Sequence, residues 1–457
     1  MPGRMRVAGL PRHPLALIGA ALTTVMAALF LLLFLLDLLG LVSNPYVGLL
    51  LFVAIPALFV LGLLLIPIGA GLTRRRQRRH PAAPMPDWPV IDLRLPRQRT
   101  VLAGVLVLTV VNLVLISLAS YGAVHAMEQT AFCGLVCHQT MEPQYVAHEN
   151  GPHARVECVA CHVGSGARAL VESKMAGTRQ LWQLATNRVP TPVPSPVRNL
   201  RPARDTCETC HWSEKIHGDK LRVIREYGDD EKNAETVTTL TMHVGGGSRT
   251  LGIGTGIHWH MNLDNEVEYV TTDPKRENIP VVRVRTRSGA TKEYVLDGTT
   301  PQQVAAGETR RMDCLDCHNR PAHTMSATPE RAVSEAIAVG RLPRALPFVH
   351  REVVAAVRAE YPDRAAGLQA IATGLRDRYR AIPGAVPQLV DQAVQGAQDV
   401  WVRNVFPAMK VTWGTYPNHL GHVDTNGCFR CHDDNHKAKD GSVIKQDCEL
   451  CHVQTDS

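Results

Sequence analysis

Long apolar runs crowd the first 125 residues of this chain, and the remainder is polar, rich in arginine and histidine. Residues 15–42 carry a single charge, Asp37. Residues 47–72 form a second run with Pro56 and Pro67 inside it, and residues 101–124 form a third. Each is long enough to cross the hydrocarbon core of a bilayer as a helix. The pattern predicts a membrane anchor over residues 1–125, with three transmembrane helices at 15–42, 47–72 and 101–124. The first run is too long for the core of a cleaved signal peptide, and no small-residue cleavage site follows it before the next run. Asp37 falls near the outer end of the first span, where a carboxylate stays solvated.

Arginine sets the orientation. The loop 73–99 carries Arg74, Arg75, Arg76, Arg78, Arg79, Arg94, Arg97 and Arg99, whereas the loop Ser43 to Tyr46 has no basic residue. Positive-inside bias puts 73–99 in the cytoplasm, together with the N-terminus and its Arg4, Arg6 and Arg12. Everything after about residue 125 is then periplasmic, and the expected location is a bacterial inner (cytoplasmic) membrane.

Beyond the anchor the periodicity changes. Residues 163–188 read as a helix. Val189 to Val197 places Pro at every second position, which favours a stiff, extended spacer. Residues 219–298 read as β-rich: Ile279 to Arg287 alternates apolar residues with arginine, Ser288 and Gly289 turn the chain, and Lys292 to Leu296 returns. Residues 326–405 are cysteine-free and helical in pattern, with Thr328 and Pro329 as a helix start. The expected organisation is the anchor over 1–125, a first motif-bearing region over 126–217, and a β-rich insert over 218–310. A short motif segment follows at 311–325, then a helical segment at 326–405 and a C-terminal motif pair at 406–457.

Cysteine identifies the chemistry. The twelve cysteines fall into six close pairs, all after residue 132. An even count in an exported region ordinarily suggests disulfides. Here five pairs fit Cys-x-x-Cys-His without exception: Cys158/Cys161/His162, Cys207/Cys210/His211, Cys314/Cys317/His318, Cys428/Cys431/His432 and Cys448/Cys451/His452. Two thiols three residues apart reach the two vinyl groups of one haem, and the next residue drops onto its iron. Zinc knuckles and thioredoxin-like pairs use Cys-x-x-Cys without requiring that His. With 20 His in 457 residues, five coincidences have a probability on the order of one in ten million. The first trio, Cys133/Cys137/His138, has one residue too many between its cysteines. Either its extra residue bulges from the arch and the chain binds six haems c, or the pair is a disulfide or two free thiols and the count is five. Each haem brings roughly two propionates, so the formal charge of +7 overstates the basicity of the loaded protein, and nucleic-acid binding is a poor reading of it.

With His138, His162, His211, His318, His432 and His452 as proximal ligands, the distal candidates are Met141, His153, His217, His260, His323, His422 and His436. Five of these histidines lie within ten residues of a haem cysteine or proximal His. A second neutral imidazole gives a six-coordinate iron that changes little on reduction. His258 and His260, on a strand, would share one face, so that one ligates and one supports, with His260 favoured. Met141 either ligates, which raises the potential of its haem, or packs against the porphyrin edge. His419 and His350, the latter on an amphipathic helix, are weaker candidates. Catalytic residues in the narrower sense are not identified.

A membrane helix leading to a haem motif with a nearby Met, then His153 to Val156 and Cys158 to His162, resembles the NapC/NirT family of membrane-anchored multihaem quinol dehydrogenases, over about residues 101–215. That family's usual first motif is Cys-x-x-Cys-His-x-Met, and both gaps here are one longer. Asn199 to His211, Gly256 to His260, Cys317 to His323 and Thr412 to His432 are similar to the larger inner-membrane cytochromes that feed extracellular or metal respiration. The resemblance implies a membrane-anchored multihaem cytochrome c. Its three transmembrane helices would precede a periplasmic, mainly-α haem region with a β-rich insert and little regular structure around the haems. It also implies quinol oxidation at the first haem, electron transfer along the others, and a periplasmic redox protein as partner. Glu128, Glu142 and Tyr145 are candidate quinol-site groups by position. A terminal reductase of a small nitrogen or oxyanion substrate is the other reading. It needs an open iron position, and the supply of His argues against one.

Overall fold

The computed structural model describes residues 14–38, 54–79, 94–136, 138–164, 166–197, 201–212, 215–248, 253–262, 265–286 and 288–455. Cys137, the N-terminal arginines, the loop Ser43 to Tyr46, residues 80–93 of the basic loop and Asn199 lie outside the described residues, as do the side chains of Asp37 and His138. The chain divides into two units, 1–127 and 128–457.

The first unit is helical: α1 (Pro14–Leu38), α2 (Ile55–Arg79) and α3 (Pro96–Glu128), whose last residue begins the second unit. Among the described residues two stretches, Pro14–Leu33 and Ile55–Leu72, are long and apolar enough to cross a membrane. The third apolar run lies on the 33-residue α3. Helices in lipid gain little from burying apolar surface against each other, so close packing depends on small residues. Gly62 meets this need: a Cβ there would lie 2.5 Å from Thr23 Oγ1 and 2.9 Å from the Gly19 carbonyl oxygen.

The second unit mixes short helices with three small antiparallel sheets. Helices α4 (His138–Glu149), α5 (Cys158–His162), α6 (Ala167–Ala185) and α7 (Ala203–Cys207) come first. Between α6 and α7 the proline run bends at 191–192 and 195–196 instead of extending as one rod. The hairpin β1 (Lys220–Tyr227) and β2 (Glu235–Met242) is extended on the β2 side by the C-terminal strand β10 (His452–Thr455). Strands β3 (Gly246–Ser248) and β4 (Ile253–Thr255) pair with each other. The largest sheet has the order β8 (Glu308–Arg311), β5 (Glu266–Thr271), β6 (Val281–Arg285), β7 (Thr291–Leu296), β9 (His436–Ala438). The alternation around 281–296 is this sheet's β6–β7 hairpin, with Val282 opposite Tyr294. Two of the three sheets thus take an edge strand from the C-terminal segment.

The main apolar core belongs to four helices, α10 (Pro329–Ala338), α11 (Val349–Arg358), α12 (Arg364–Arg380) and α13 (Pro387–Asn404). Thr328 caps α10 by accepting a hydrogen bond from Arg331 N, with Pro329 in the first turn. Trp401 is fully buried at the centre. Gly367 lets α12 lie directly on the indole, where a Cβ would come within 2.4 Å of the ring. Asn233, completely buried in the β1–β2 turn, donates to the carbonyls of Arg344 and Leu346 and accepts from His350 N. The hairpin is thereby tied to the helical block.

Residues 257–261 correct the strand expectation. Ile257 to Met261 form a 3-10 helix. Gly256, at φ 73°, brings the chain against β2, where a Cβ would lie 2.5 Å from the His243 carbonyl oxygen. With three residues per turn, His258 and His260 point to different sides instead of sharing one.

Truncating Trp401 to Ala should destabilise the second unit by about 3–5 kcal/mol, the usual cost of emptying a large aromatic site. Its Nε1 has no hydrogen-bond partner, so Trp401→Phe should cost much less. Denaturant unfolding followed by far-ultraviolet circular dichroism measures both.

Candidate metal centres

The motif cysteines sit on single helical turns. Cys158 and Cys161 lie on α5, and Cys314 and Cys317 bound the short helix α9 that follows α8 (Pro301–Ala306). Cys428 and Cys448 lie on 3-10 turns. Cys133 differs, because Phe132–Val136 is a π-helical turn. A π-turn holds one more residue than an α-turn, which is the surplus between Cys133 and Cys137. Tyr145 covers this turn, so closely that Gly134 could carry no Cβ.

The structure brings histidines together in pairs. Each proximal His of the five regular motifs faces one His from elsewhere in the chain. His211 faces His153 at 6.1 Å between ring centroids, and His162 faces His323 at 6.2 Å. His318 faces His258 at 6.2 Å, His432 faces His260 at 6.0 Å, and His452 faces His422 at 6.2 Å. With a metal–nitrogen bond of about 2 Å and each nitrogen about 1 Å from its ring centre, two imidazoles trans across one metal stand about 6 Å apart. Among the described residues no three His, Cys, Asp or Glu side chains converge as a metal-ion shell. An iron whose four equatorial bonds come from a porphyrin needs only a pair, so the donor set fits haem.

Backbone carbonyls aim the rings. Nδ1 of His153 donates to Pro321 O at 3.0 Å, that of His323 to Gln144 O at 3.0 Å and that of His258 to Val244 O at 2.9 Å. His260 donates to Ile257 O and His432 to Lys445 O, each at 2.9 Å. A donated Nδ1–H fixes the tautomer and leaves Nε2 as the donor atom for a metal. Burial pushes the pKa of His162, His260 and His318 down, and that of His323 down to about 4, with the nearby Arg320 charge adding to the effect. These rings are therefore neutral, the form that ligates.

His148 is also 6.2 Å from His323. Its Nε2 donates to Val156 O at 2.9 Å and its Nδ1 faces Glu149, which leaves His162 as the partner of His323. His436, a distal candidate on sequence, has both nitrogens engaged: Nε2 with Ile279 O at 2.7 Å and Nδ1 with Asp433 at 2.9 Å. It is completely buried at the start of β9 and ties that strand to the segment before β6, with no nitrogen left for a metal. His419 and His350 are likewise bonded at both nitrogens. His217 is exposed, and Met141 is half-buried on α4. His258, weighed second to His260 on sequence, lies opposite His318 while His260 lies opposite His432; the signal for it was the pair of His two residues apart. Glu142 is ion-paired with Arg364 of α12.

The motifs follow one another in space in chain order. The Cys158 thiol hydrogen-bonds with Cys133, and Cys207 with Cys314. Cys161 lies within electrostatic reach of Cys210, Cys317 of Cys428, and Cys451 of Cys428. One buried network locks the fourth motif to the fifth. Asp316 accepts from Tyr269 Oη at 2.5 Å and from Arg276 at 2.8 Å. Arg430 donates to the carbonyls of Asp316, Arg276 and Gly427 at 2.6–2.7 Å.

Comparison with known proteins gives a consistent picture. Residues 95–223 match the model of the NapC/NirT cytochrome c family, N-terminal region. The chain is 38% identical over 454 residues to the cytochrome c-type protein ImcH of Geobacter sulfurreducens, covering 98% of this chain and 89% of that protein. No solved structure matches the chain.

Replacing His436 by Ala should lower stability by about 1–3 kcal/mol for the orphaned partners while leaving the haem content unchanged. The pyridine haemochrome spectrum per mole of protein reads the second quantity and thermal unfolding the first.

Proposed function

This chain belongs to the NapC/NirT cytochrome c family, with haem c bound covalently, and we propose that it carries six haems and passes electrons from membrane quinol to a periplasmic redox partner. The observation that carries this reading is the set of five imidazole pairs 6.0–6.2 Å apart. The pairs would be the axial ligands His162/His323, His211/His153, His318/His258, His432/His260 and His452/His422. The π-turn at Cys133 supports the sixth haem, with His138 as its proximal ligand and Met141 or His217 for the other side. The third apolar run, on α3, would be the third membrane span, and arginine bias would leave residues after 125 in the periplasm.

Haem, when bound, supplies an iron that takes up and releases one electron. The chain's own residues do the rest. Neutral imidazoles on both faces favour a low-spin iron of nearly constant geometry, which keeps reorganisation small. Carbonyl-anchored rings hold that geometry, and the Asp316–Arg276–Arg430 network holds successive motifs at fixed spacing. Oxidation of one quinol releases two protons and two electrons. Electron entry is proposed at the first motif, where Tyr145 lies over the arch, with Glu128 and Glu142 nearby in sequence. The serial order of the motifs supports one unbranched path. Paired imidazoles at five motifs leave no open iron position there, so a terminal reductase is not favoured.

Intact-protein mass spectrometry should count six haems in the wild type and five in a Cys133→Ala/Cys137→Ala double variant. Quinol oxidation should be lost in that variant while the remaining haems stay reducible by dithionite. A wild-type count of five would remove electron entry from the first motif.

A further inference from the structure

Arg320 follows the Cys314–His318 motif by two residues and is only 8% exposed. Its Nε donates to His323 O at 3.0 Å and its Nη2 to Gln144 Oε1 at 3.1 Å. The guanidinium carbon lies 4.3 Å from the centroid of the Tyr416 ring. All three partners are neutral, and no ion pair to a carboxylate is found for it among the described residues. An arginine guanidinium keeps its proton in proteins, so Arg320 is a cation at neutral pH. Burying a charge is costly, and no protein carboxylate among the described residues offsets this one. This one is fastened to the backbone of His323, whose ring faces His162.

We propose that Arg320 is a fixed positive charge that raises the reduction potential of the iron held between His162 and His323. The inference rests on the reading of that pair as axial ligands. Reduction adds one negative charge, and a cation held nearby in a medium of low dielectric stabilises the reduced form. The second station then draws electrons forward from the first, where quinol would deliver them. Gln144 belongs to the same device, because a carboxylate at that position would cancel the charge.

The test is a potentiometric titration of the detergent-solubilised, fully haemylated chain, followed by optical absorbance. Arg320→Gln and Gln144→Glu should each move one titrating component to lower potential, and Arg320→Lys should leave it in place. His323→Met identifies the component, since a thioether ligand should move it upward. The proposal is overturned if neither charge variant moves a component. It is overturned equally if Arg320→Lys moves it as far as Arg320→Gln, or if the component that moves is not the one His323→Met moves. If His323→Met moves none, the axial reading of the pair fails and takes this inference with it. Should Arg320→Gln lose haem, Gln144→Glu, nearly isosteric, carries the test alone.

Discussion

The second unit is organised around one geometric demand: two imidazoles must face each other across a gap of about 6 Å, and five of the ten rings are turned by a hydrogen bond to a backbone carbonyl behind them. The demand couples segments far apart in sequence. His153 precedes the third motif and faces it, and its Nδ1 is held by Pro321, beyond the fourth. His323 lies beyond the fourth motif and faces the second, held by Gln144 of α4. His422 precedes the fifth and faces the sixth. Every pair therefore brings together stretches of chain that are separate in sequence.

This explains the uneven distribution of apolar core. Around Trp401 four helices bury a continuous apolar cluster. The clusters near the motifs are far smaller, one of them built on Val267, Tyr269, Ile279 and Val282. Apolar residues close in sequence to the sixth station, Val423 and Leu450, stay exposed. A bound porphyrin offers the large apolar surface that such side chains lack, so the haem sites fit a region whose core is completed by cofactor. The helical block supplies stability of the ordinary kind, and the β1–β2 hairpin joins it to strand β10 of the last motif.

Charge is handled differently along the path. Between the fourth and fifth motifs, Asp316 and Arg276 neutralise each other in a buried pair while Arg430 spends its donors on backbone carbonyls. Beside His323, Arg320 has no carboxylate partner among the described residues. One arrangement fixes spacing, and the other leaves a net field where an electron would have to pass.

Much of this was legible in the sequence because its causes are local. Covalent attachment needs two thiols and a His within five residues, so the regular motifs identify themselves. Membrane spans need only length and apolarity, a hairpin only alternation and a turn, and the start of α10 only a Thr and a Pro. Distal ligation is not local. His436 lies as near a motif as His323 does, yet the Ile279 carbonyl and the Asp433 carboxylate engage both its nitrogens, while a 3-10 turn that Gly256 permits brings His258 opposite His318. The sequence by itself determined where haem can be attached and which part of the chain is apolar enough to meet lipid. Only the tertiary structure decided which histidine faces which: the carbonyls that aim His153 and His323, those of Pro321 and Gln144, are brought in from segments more than a hundred residues away.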